Sequence, residues 1–408
     1  MDILNFIGGE HLPALNGEWL DNVEPATGIA YGKLPRSGAL DVEQAVAAAA
    51  AAFPVWSNTS VEERTACLNR LADRIARHFD ELVAAESKDN GKPVSLAAHV
   101  DIPRAEKNLR FYASAAQQFL TEAGMSAGAN QLHYVHRKPL GVVAVISPWN
   151  LPLYLFTWKV APALAMGNCV IGKPSEITPA TAFLLSQWIT DAGFPPGSFN
   201  VLHGLGAEVG DALVRHPRIK AVSFTGGTAT GQHIARAVAG TATKTTFELG
   251  GKNPAIVFED CDVDLTLRTV LRSAFANQGQ ICLCSSRLLI HESIYAGFRD
   301  ALVEKVRAME PSDPALPETK MGAVVSADHL AKIESFVAKA RELGGTILCG
   351  GEATRPEGAR CAGGYFMQPT LIEGLDPACE VNQQEIFGPV VTLQSFATEE
   401  EAIALANG

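Results

Sequence analysis

The chain has 408 residues, 47% hydrophobic and 19% charged, with a formal net charge of −11. That length accommodates two or three domains, each with its own core, and the acidic balance argues against nucleic acid or an anionic membrane surface as a general partner. Eight scattered cysteines form no CxxC pair and no Cys/His cluster with zinc spacing, so free thiols in a reducing, cytoplasmic setting are expected, and no metal site.

The N-terminus carries Asp2, Asn5 and Glu10 and lacks the basic n-region of a signal peptide. Residues 41–119 are helical by pattern: an alanine-rich stretch at 45–53, then Leu68, Leu71, Ile75, Phe79 and Leu82 at helical spacing. These helices are expected to cover a sheet. The apolar stretch at 141–172 is interrupted by Pro148, Asn150, Pro152, Lys159, Pro162 and Asn168, which does not suit a membrane span.

From Gly141 short β-rich runs alternate with helices: a strand at 142–146, an apolar helix, a strand at 168–173, a helix from Thr178, and a strand at 199–203. A helix from Ala207, a strand at 221–225, a helix after Gly227 and strands at 245–249 and 255–258 follow. This is the pattern of βαβ units and a mainly parallel sheet. A second alternating region begins at Asp262, with helices at 262–277, 294–309 and 329–343 and strands at 288–291 and 346–348. The break at Gly250-Gly251 separates the two regions, with Glu248 before it and Cys282 after it.

Cys282 follows an amphipathic helix at a glycine break, in Gly279-Gln280-Ile281-Cys282-Leu283-Cys284, where a reactive thiol is displayed. A half-buried structural cysteine is the alternative. A thiolate adding to an aldehyde gives a thiohemiacetal whose hydride can leave to a nicotinamide, and the resulting thioester is labile to water. Glu248, before two glycines, suits a mobile general base, or else a surface charge ending a strand. Asn150 can offer its amide to an oxyanion together with the Cys282 backbone N–H, or serve as N-cap of a helix starting at Leu151.

The nucleotide signals are two strand-to-helix turns. Gly204-Leu205-Gly206-Ala207-Glu208-Val209-Gly210 is one residue longer than the dinucleotide fingerprint. Phe224-Thr225-Gly226-Gly227-Thr228 offers a helix N-terminus to a pyrophosphate. Lys173 and Glu176 fall at the carboxyl end of a strand, where ligands collect in parallel sheets. Glu176 would repel a 2′-phosphate and favour NAD over NADP; alternatively it is a first-turn acid favoured by the helix dipole.

Six segments in order are Ile146-Ser147-Pro148-Trp149-Asn150, Lys173-Pro174-Ser175-Glu176, Phe224-Thr225-Gly226, the run from Glu248 to Pro254, Gly279-Gln280-Ile281-Cys282 and Glu385-Ile386-Phe387-Gly388-Pro389. Through them the chain resembles the NAD(P)-dependent aldehyde dehydrogenase superfamily over essentially its whole length. The resemblance implies an α/β fold with a Rossmann-type cofactor domain at 1–118 and 139–250, part of an oligomerisation hairpin at 119–138, and a second α/β catalytic domain at 251–408, incomplete at its C-terminus. It implies Cys282 as nucleophile, Glu248 as general base and Asn150 as oxyanion donor. It places NAD against Ile146, Ser147, Pro148 and Trp149, against Lys173, Ser175 and Glu176, and against Gly206 and Gly210. Phe224, Thr225, Gly226 and Gly227, then Leu249 and Gly250, and finally Glu385 and Phe387 near the nicotinamide riboside complete the cofactor set.

Within the superfamily the chain looks most like the 2-aminomuconate and 2-hydroxymuconate semialdehyde dehydrogenases, through Glu86-Ser87-Lys88-Asp89, Asp101-Ile102-Pro103-Arg104, Pro152-Leu153-Tyr154-Leu155 and Cys282-Leu283-Cys284. Arg104, Asn150 and Leu155 are then the substrate residues, with Arg104 pairing a substrate carboxylate or else standing as a solvated helix residue. Other readings are a dehydrogenase for an aliphatic or amino aldehyde, and an inactive homologue that only binds NAD. The resemblance implies that family members continue beyond the position of Gly408 with a substrate-pocket segment and an inter-subunit strand. A homo-oligomer is expected of the full-length family.

Overall fold

The computed structural model describes residues 1–126 and 130–408; residues 127–129, inside the expected 119–138 hairpin, lie outside the described residues. Backbone packing groups the chain into two compact units. The first comprises Met1–Asn22, Gly32–Val83 and Ala98–Glu248, the second Val23–Tyr31, Ala84–Ala97 and Leu249–Gly408.

The first unit is built on a seven-stranded sheet. Its order is Lys244–Leu249, Ile219–Gly226, Val142–Ile146, Cys169–Lys173, Phe199–Val201, Asn5–Ile7 and Glu10–Leu12. The neighbours from Ile219–Gly226 to Phe199–Val201 run parallel, and the two N-terminal strands add an antiparallel edge. A parallel strand is covered on both faces and therefore reads as an unbroken apolar run, and Val142 to Val145 are all buried. The chain passes from Val142–Ile146 outward through Cys169–Lys173 and Phe199–Val201, then returns to the other side at Ile219–Gly226. The strand order thus reverses beside Val142–Ile146, and such a switch point leaves a crevice at the carboxyl ends.

The helices expected over residues 41–119 are Ala39–Asn58, Val61–Arg77, Phe79–Asn90 and Ile102–Gln118, with short turns between the last two. Ser60 starts the second by accepting from the Glu63 N–H at 3.2 Å, which satisfies one of the orphan donors of a helix start. Its Leu68, Leu71 and Ile75 are fully buried, and each such side chain stabilises by about 1.5–3 kcal/mol. Ile102–Gln118 packs against both Val61–Arg77 and Pro152–Ala165. The strands Glu122–Ser126 and Leu132–His136 pair antiparallel and are exposed throughout.

The second unit carries a five-stranded sheet in the order Pro254–Val257, Arg287–His291, Val390–Phe396, Thr370–Glu373 and Thr346–Cys349, parallel except for the last pair. One face packs Leu288, Ile290 and Leu393 against Phe298, Leu302 and Val306 of the helix Glu292–Arg307. Arg287 ties the sheet to the final helix, Glu399–Asn407: its Nη1 and Nη2 donate to the Leu405 and Ala406 carbonyls at 2.8 and 2.9 Å. A cation there complements the helix dipole.

No disulfide links any of the eight cysteines among the described residues. No described helix is long and apolar enough to cross a membrane, and no group of His, Cys, Asp and Glu among the described residues is placed to hold a metal ion.

Candidate active site

The crevice of the first unit holds a cavity of about 700 Å³, within the range of small-molecule sites. Ile146 is level with Lys173 on one side and Phe224 on the other, so three strand ends converge on it. From the first come Ile146, Ser147, Pro148 and Trp149, and from the second Lys173, Ser175 and Glu176. The turn Phe224, Thr225, Gly226 and Gly227 forms another wall. It leads into the 11-residue helix Thr228–Val238, whose N-cap Gly227 leaves the first backbone N–H groups without a side-chain cap. Such N–H groups suit an anionic phosphate. Gly206 and Gly210 line the remaining side.

Lys173 Nζ donates to Glu176 Oε2 at 2.6 Å. Burial alone would push the Glu176 carboxyl up, but the Lys173 charge and hydrogen bond, with the Glu176 and Gly206 N–H groups, hold it below its ordinary value. The carboxylate therefore stays ionised. The helix expected from Thr178 begins at Ala180, which leaves Glu176 ahead of the first turn and removes the helix-dipole explanation for it. A cation, an ionised carboxylate and a helix start around an apolar cavity suit a nucleotide.

Asn150 is buried in the loop after Val142–Ile146. The helix that follows is Pro152–Ala165, with Leu151 as N-cap and no side-chain cap bond. Pro152 opens this helix because it needs no N–H there, so the N-cap alternative for Asn150 does not hold. Leu155 is half-buried in the same helix. Arg104 is exposed on Ile102–Gln118. Its guanidinium lies 5.5 Å from the ring centres of both Tyr154 and Trp158, within cation–π range, and it pairs with no carboxylate among the described residues.

Glu248 is exposed in the edge strand Lys244–Leu249. Thr246, two residues earlier on the same strand face, donates to Ser223 Oγ at 3.0 Å, and Lys159 Nζ donates to that hydroxyl at 3.1 Å. Burial pushes Lys159 down to about 8, opposed by the charge of Glu248. In the sequence Lys159 is only a break in an apolar stretch, because nothing local signals a charged neighbour.

In the second unit, Cys282 is partly exposed on the loop between Val263–Phe275 and Arg287–His291. Three consecutive residues ahead of it, Asn277, Gln278 and Gly279, are left-handed, with φ of 50°, 56° and 71°. That backbone is costly for residues with a Cβ and persists only where the surroundings hold it. Gln278 Nε2 donates to the Ala323 carbonyl at 2.7 Å, and Gln280 Oε1 accepts from the Val325 N–H at 3.0 Å. Burial pushes the neighbouring Cys284 thiol up to about 11, so it stays protonated.

Leu249, Gly250, Glu385 and Phe387 also belong to the second unit and do not line the nucleotide-sized cavity. The Glu385 carboxylate lies against Gly250, where a Cβ would collide with it, and accepts from the Gly251 N–H at 3.4 Å. Burial raises its carboxyl above the ordinary range, opposed by that N–H and by Lys332 and Lys252. Lys252 is itself pushed down to about 8 by burial, with Arg287 adding to the effect. Phe387 has φ 62°, and its carbonyl accepts from His329 Nε2 at 2.7 Å. Burial lowers His329 to about 4, so the donor is a neutral imidazole.

Comparison with known proteins gives one consistent answer. Residues 13–408 match the aldehyde dehydrogenase family. The chain is 46% identical over 404 residues to 2-aminomuconic semialdehyde dehydrogenase of Mus musculus, covering 99% of this chain and 82% of that protein. It is 43% identical over 411 residues to 2-hydroxymuconic semialdehyde dehydrogenase of Pseudomonas sp. (strain CF600), covering 100% of this chain and 84% of the relative. Among solved structures, PnpE, known from Pseudomonas sp. WBC-3 and solved in complex with nicotinamide adenine dinucleotide, superposes with a TM-score of 0.97 at 38% identity, covering 100% of this chain and 83% of that one. The chain belongs to the aldehyde dehydrogenase family.

Proposed function

We propose that this aldehyde dehydrogenase oxidises a carboxylate-bearing semialdehyde, such as 2-aminomuconate or 2-hydroxymuconate semialdehyde, to the acid with NAD. The observation that carries the substrate class is Arg104: two rings hold its guanidinium, and its donors are uncommitted among the described residues. A planar fork of this kind suits a carboxylate. The names of the muconic semialdehyde relatives point the same way.

Cys282 is the proposed nucleophile. Its thiolate forms a carbon–sulfur bond to the aldehyde carbonyl, and the Asn150 amide with the Cys282 N–H stabilises the oxyanion that results. The hydride acceptor that lets this thiohemiacetal become a thioester would be supplied by NAD when bound. Glu248 then takes a proton from a water whose oxygen attacks the thioester carbonyl, and the carbon–sulfur bond breaks to return the thiolate and release the acid. Lys173 and Glu176 are proposed to hold the adenosine ribose, the turn at Phe224 to Gly227 the pyrophosphate, and Glu385 with Phe387 the nicotinamide riboside. Ionised Glu176 supports NAD over NADP, since a 2′-phosphate would meet its charge, and the NAD complex of a solved neighbour agrees.

We assign residues 1–118 and 139–250 to the NAD-binding domain, apart from 23–31, 84–97 and 249–250, which group with the second unit, 251–408 to the catalytic domain, and the hairpin at 119–138 to an assembly surface of a homo-oligomer. The exposed Met125, Leu132, Tyr134 and Val135 support that last role. Eight cysteines with no disulfide among the described residues fit a cytoplasmic location.

The test is NADH formation with muconic semialdehydes and with uncharged aldehydes, for the wild type and Arg104→Ala. Loss of about tenfold or more in kcat/KM for the charged substrates alone is expected. Equal loss for both classes, or preference for the uncharged aldehydes in the wild type, overturns the substrate assignment.

A further inference from the structure

The wall of the dinucleotide cavity formed by Gly206, Ala207 and Gly210 is a π-helical turn, Gly206–Gly210, that runs on without a break into the short helix Asp211–Arg215. Even with Asp211–Arg215 the helical segment is short enough to be marginal alone, and its irregular first turn needs outside support. The segment Arg36-Ser37 braces it from far away in sequence. Arg36 grips Glu208 with both sides of its guanidinium, Nε to Oε2 at 2.9 Å and Nη2 to Oε1 at 2.5 Å. Ser37 donates its N–H to the His203 carbonyl at 3.2 Å. Gly204, with φ +138°, lets the two segments touch, since a Cβ there would lie 2.8 Å from the Ser37 nitrogen. On its other side the turn presents the Gly206 N–H to the Glu176 carboxylate, which Lys173 also grips.

We propose that Arg36 is a positioning residue for cofactor binding: its two-pronged grip on Glu208 sets the 206–210 turn, and through the Gly206 N–H it sets the Lys173–Glu176 pair. Arg36 and Glu208 are both more than a third exposed, and such a pair contributes little to global stability. Its effect is therefore on geometry, and it falls on dinucleotide affinity and not on the chemical step. The proposal rests on the assignment of this cavity to NAD.

The experiment measures NAD affinity by titration calorimetry, kcat at saturating NAD and thermal unfolding. It uses the full chain as wild type, Arg36→Glu, Glu208→Arg, Arg36→Lys and the double swap. Each charge reversal is expected to weaken NAD binding by about fivefold or more, with kcat and unfolding temperature little changed. Arg36→Lys, which keeps the charge and loses the fork, falls between. The double swap recovers most of the affinity, as coupled partners do. Should a reversal fail to fold, Glu208→Gln replaces it with the same expected direction. Single variants that bind NAD like the wild type, or a double swap no tighter than the product of the single losses, overturn the grip while leaving the cavity assignment intact. A folded wild type that does not bind NAD overturns both.

Discussion

Asn253 holds the backbone on which Cys282 is displayed: its Nδ2 donates to the Cys282 carbonyl at 2.5 Å and to the Cys284 carbonyl at 3.2 Å. Its own carbonyl accepts the Ser286 and Arg287 N–H groups at 3.1 and 3.2 Å. One residue thus joins the loop to the strand Arg287–His291. Asn253→Asp removes the donor and sets a carboxylate against two carbonyl oxygens. A fall in kcat of about ten- to a hundredfold is expected, the scale of one or two lost hydrogen bonds at a positioned nucleophile. Steady-state kinetics with a thermal melt check it; an unchanged kcat in a folded variant would show that the loop does not need this tie.

The two thiols two residues apart should separate cleanly in reactivity. Cys284 is buried and pushed up to about 11, whereas Cys282 is partly exposed. Thiolate fraction and access govern alkylation, so iodoacetamide near neutral pH should mark Cys282 well before Cys284. Peptide mass mapping over a time course reads this, and simultaneous labelling would contradict it.

Cofactor choice depends on the charge of Glu176. Its carboxyl lies below the ordinary range beside Lys173, so at neutral pH it is an anion. Glu176→Gln keeps the shape and removes that charge. It should raise kcat/KM for NADP relative to NAD by about tenfold, the scale of one relieved charge contact near a protein surface. A ratio unmoved by the substitution would take Glu176 out of cofactor discrimination.

Acid should destabilise the fold through two buried imidazoles. Burial lowers His203 to about 3, with Lys173 and His11 adding to the effect, and lowers His329 to about 4. Below the ordinary histidine value of about 6.5 the unfolded chain takes up protons that the folded chain refuses, so stability falls as pH drops. The fall continues to about pH 4 for His329 and to about pH 3 for His203, with a slope of about 1.4 kcal/mol per pH unit for each. Neither ring nitrogen of His203 has a hydrogen-bond partner among the described residues, so His203→Phe should flatten the urea midpoint between pH 6.5 and 4.5. The same slope in variant and wild type would show that His203 titrates normally.

The parts legible from sequence are those whose signal is local. Val142–Ile146 is an unbroken β-branched and alanine run because both its faces are covered, and Val263–Phe275 shows a helical apolar stripe with Asp262 capping it through the Leu265 N–H. Lys173 and Phe224 to Gly227 are readable as the carboxyl ends of strands in a parallel sheet, whereas Ile146 to Trp149 enter the cofactor set only through the family resemblance. What escaped depends on distant partners. The strands Asn5–Ile7 and Thr370–Glu373 are three and four residues long and gain their place only by pairing. The helix expected from Ala207 is present, but the π form of its first turn escaped because its brace, Arg36, lies 172 residues before Glu208. Lys159 carries no motif of its own, and Asn253 sits in the run from Glu248 to Pro254 with no role assigned to it; their contacts give both their meaning.

Cys282 as the acylated residue and Glu248 as the base that frees it form the centre of the proposed reaction. Glu248→Gln with NAD and a carboxylate-bearing semialdehyde, quenched and digested for peptide mass analysis, tests this most directly. The expected result is a burst of NADH equal to the active sites, with the acyl mass on the peptide carrying Cys282. A variant that turns over at the wild-type rate, or an acyl group found on another residue, would contradict it.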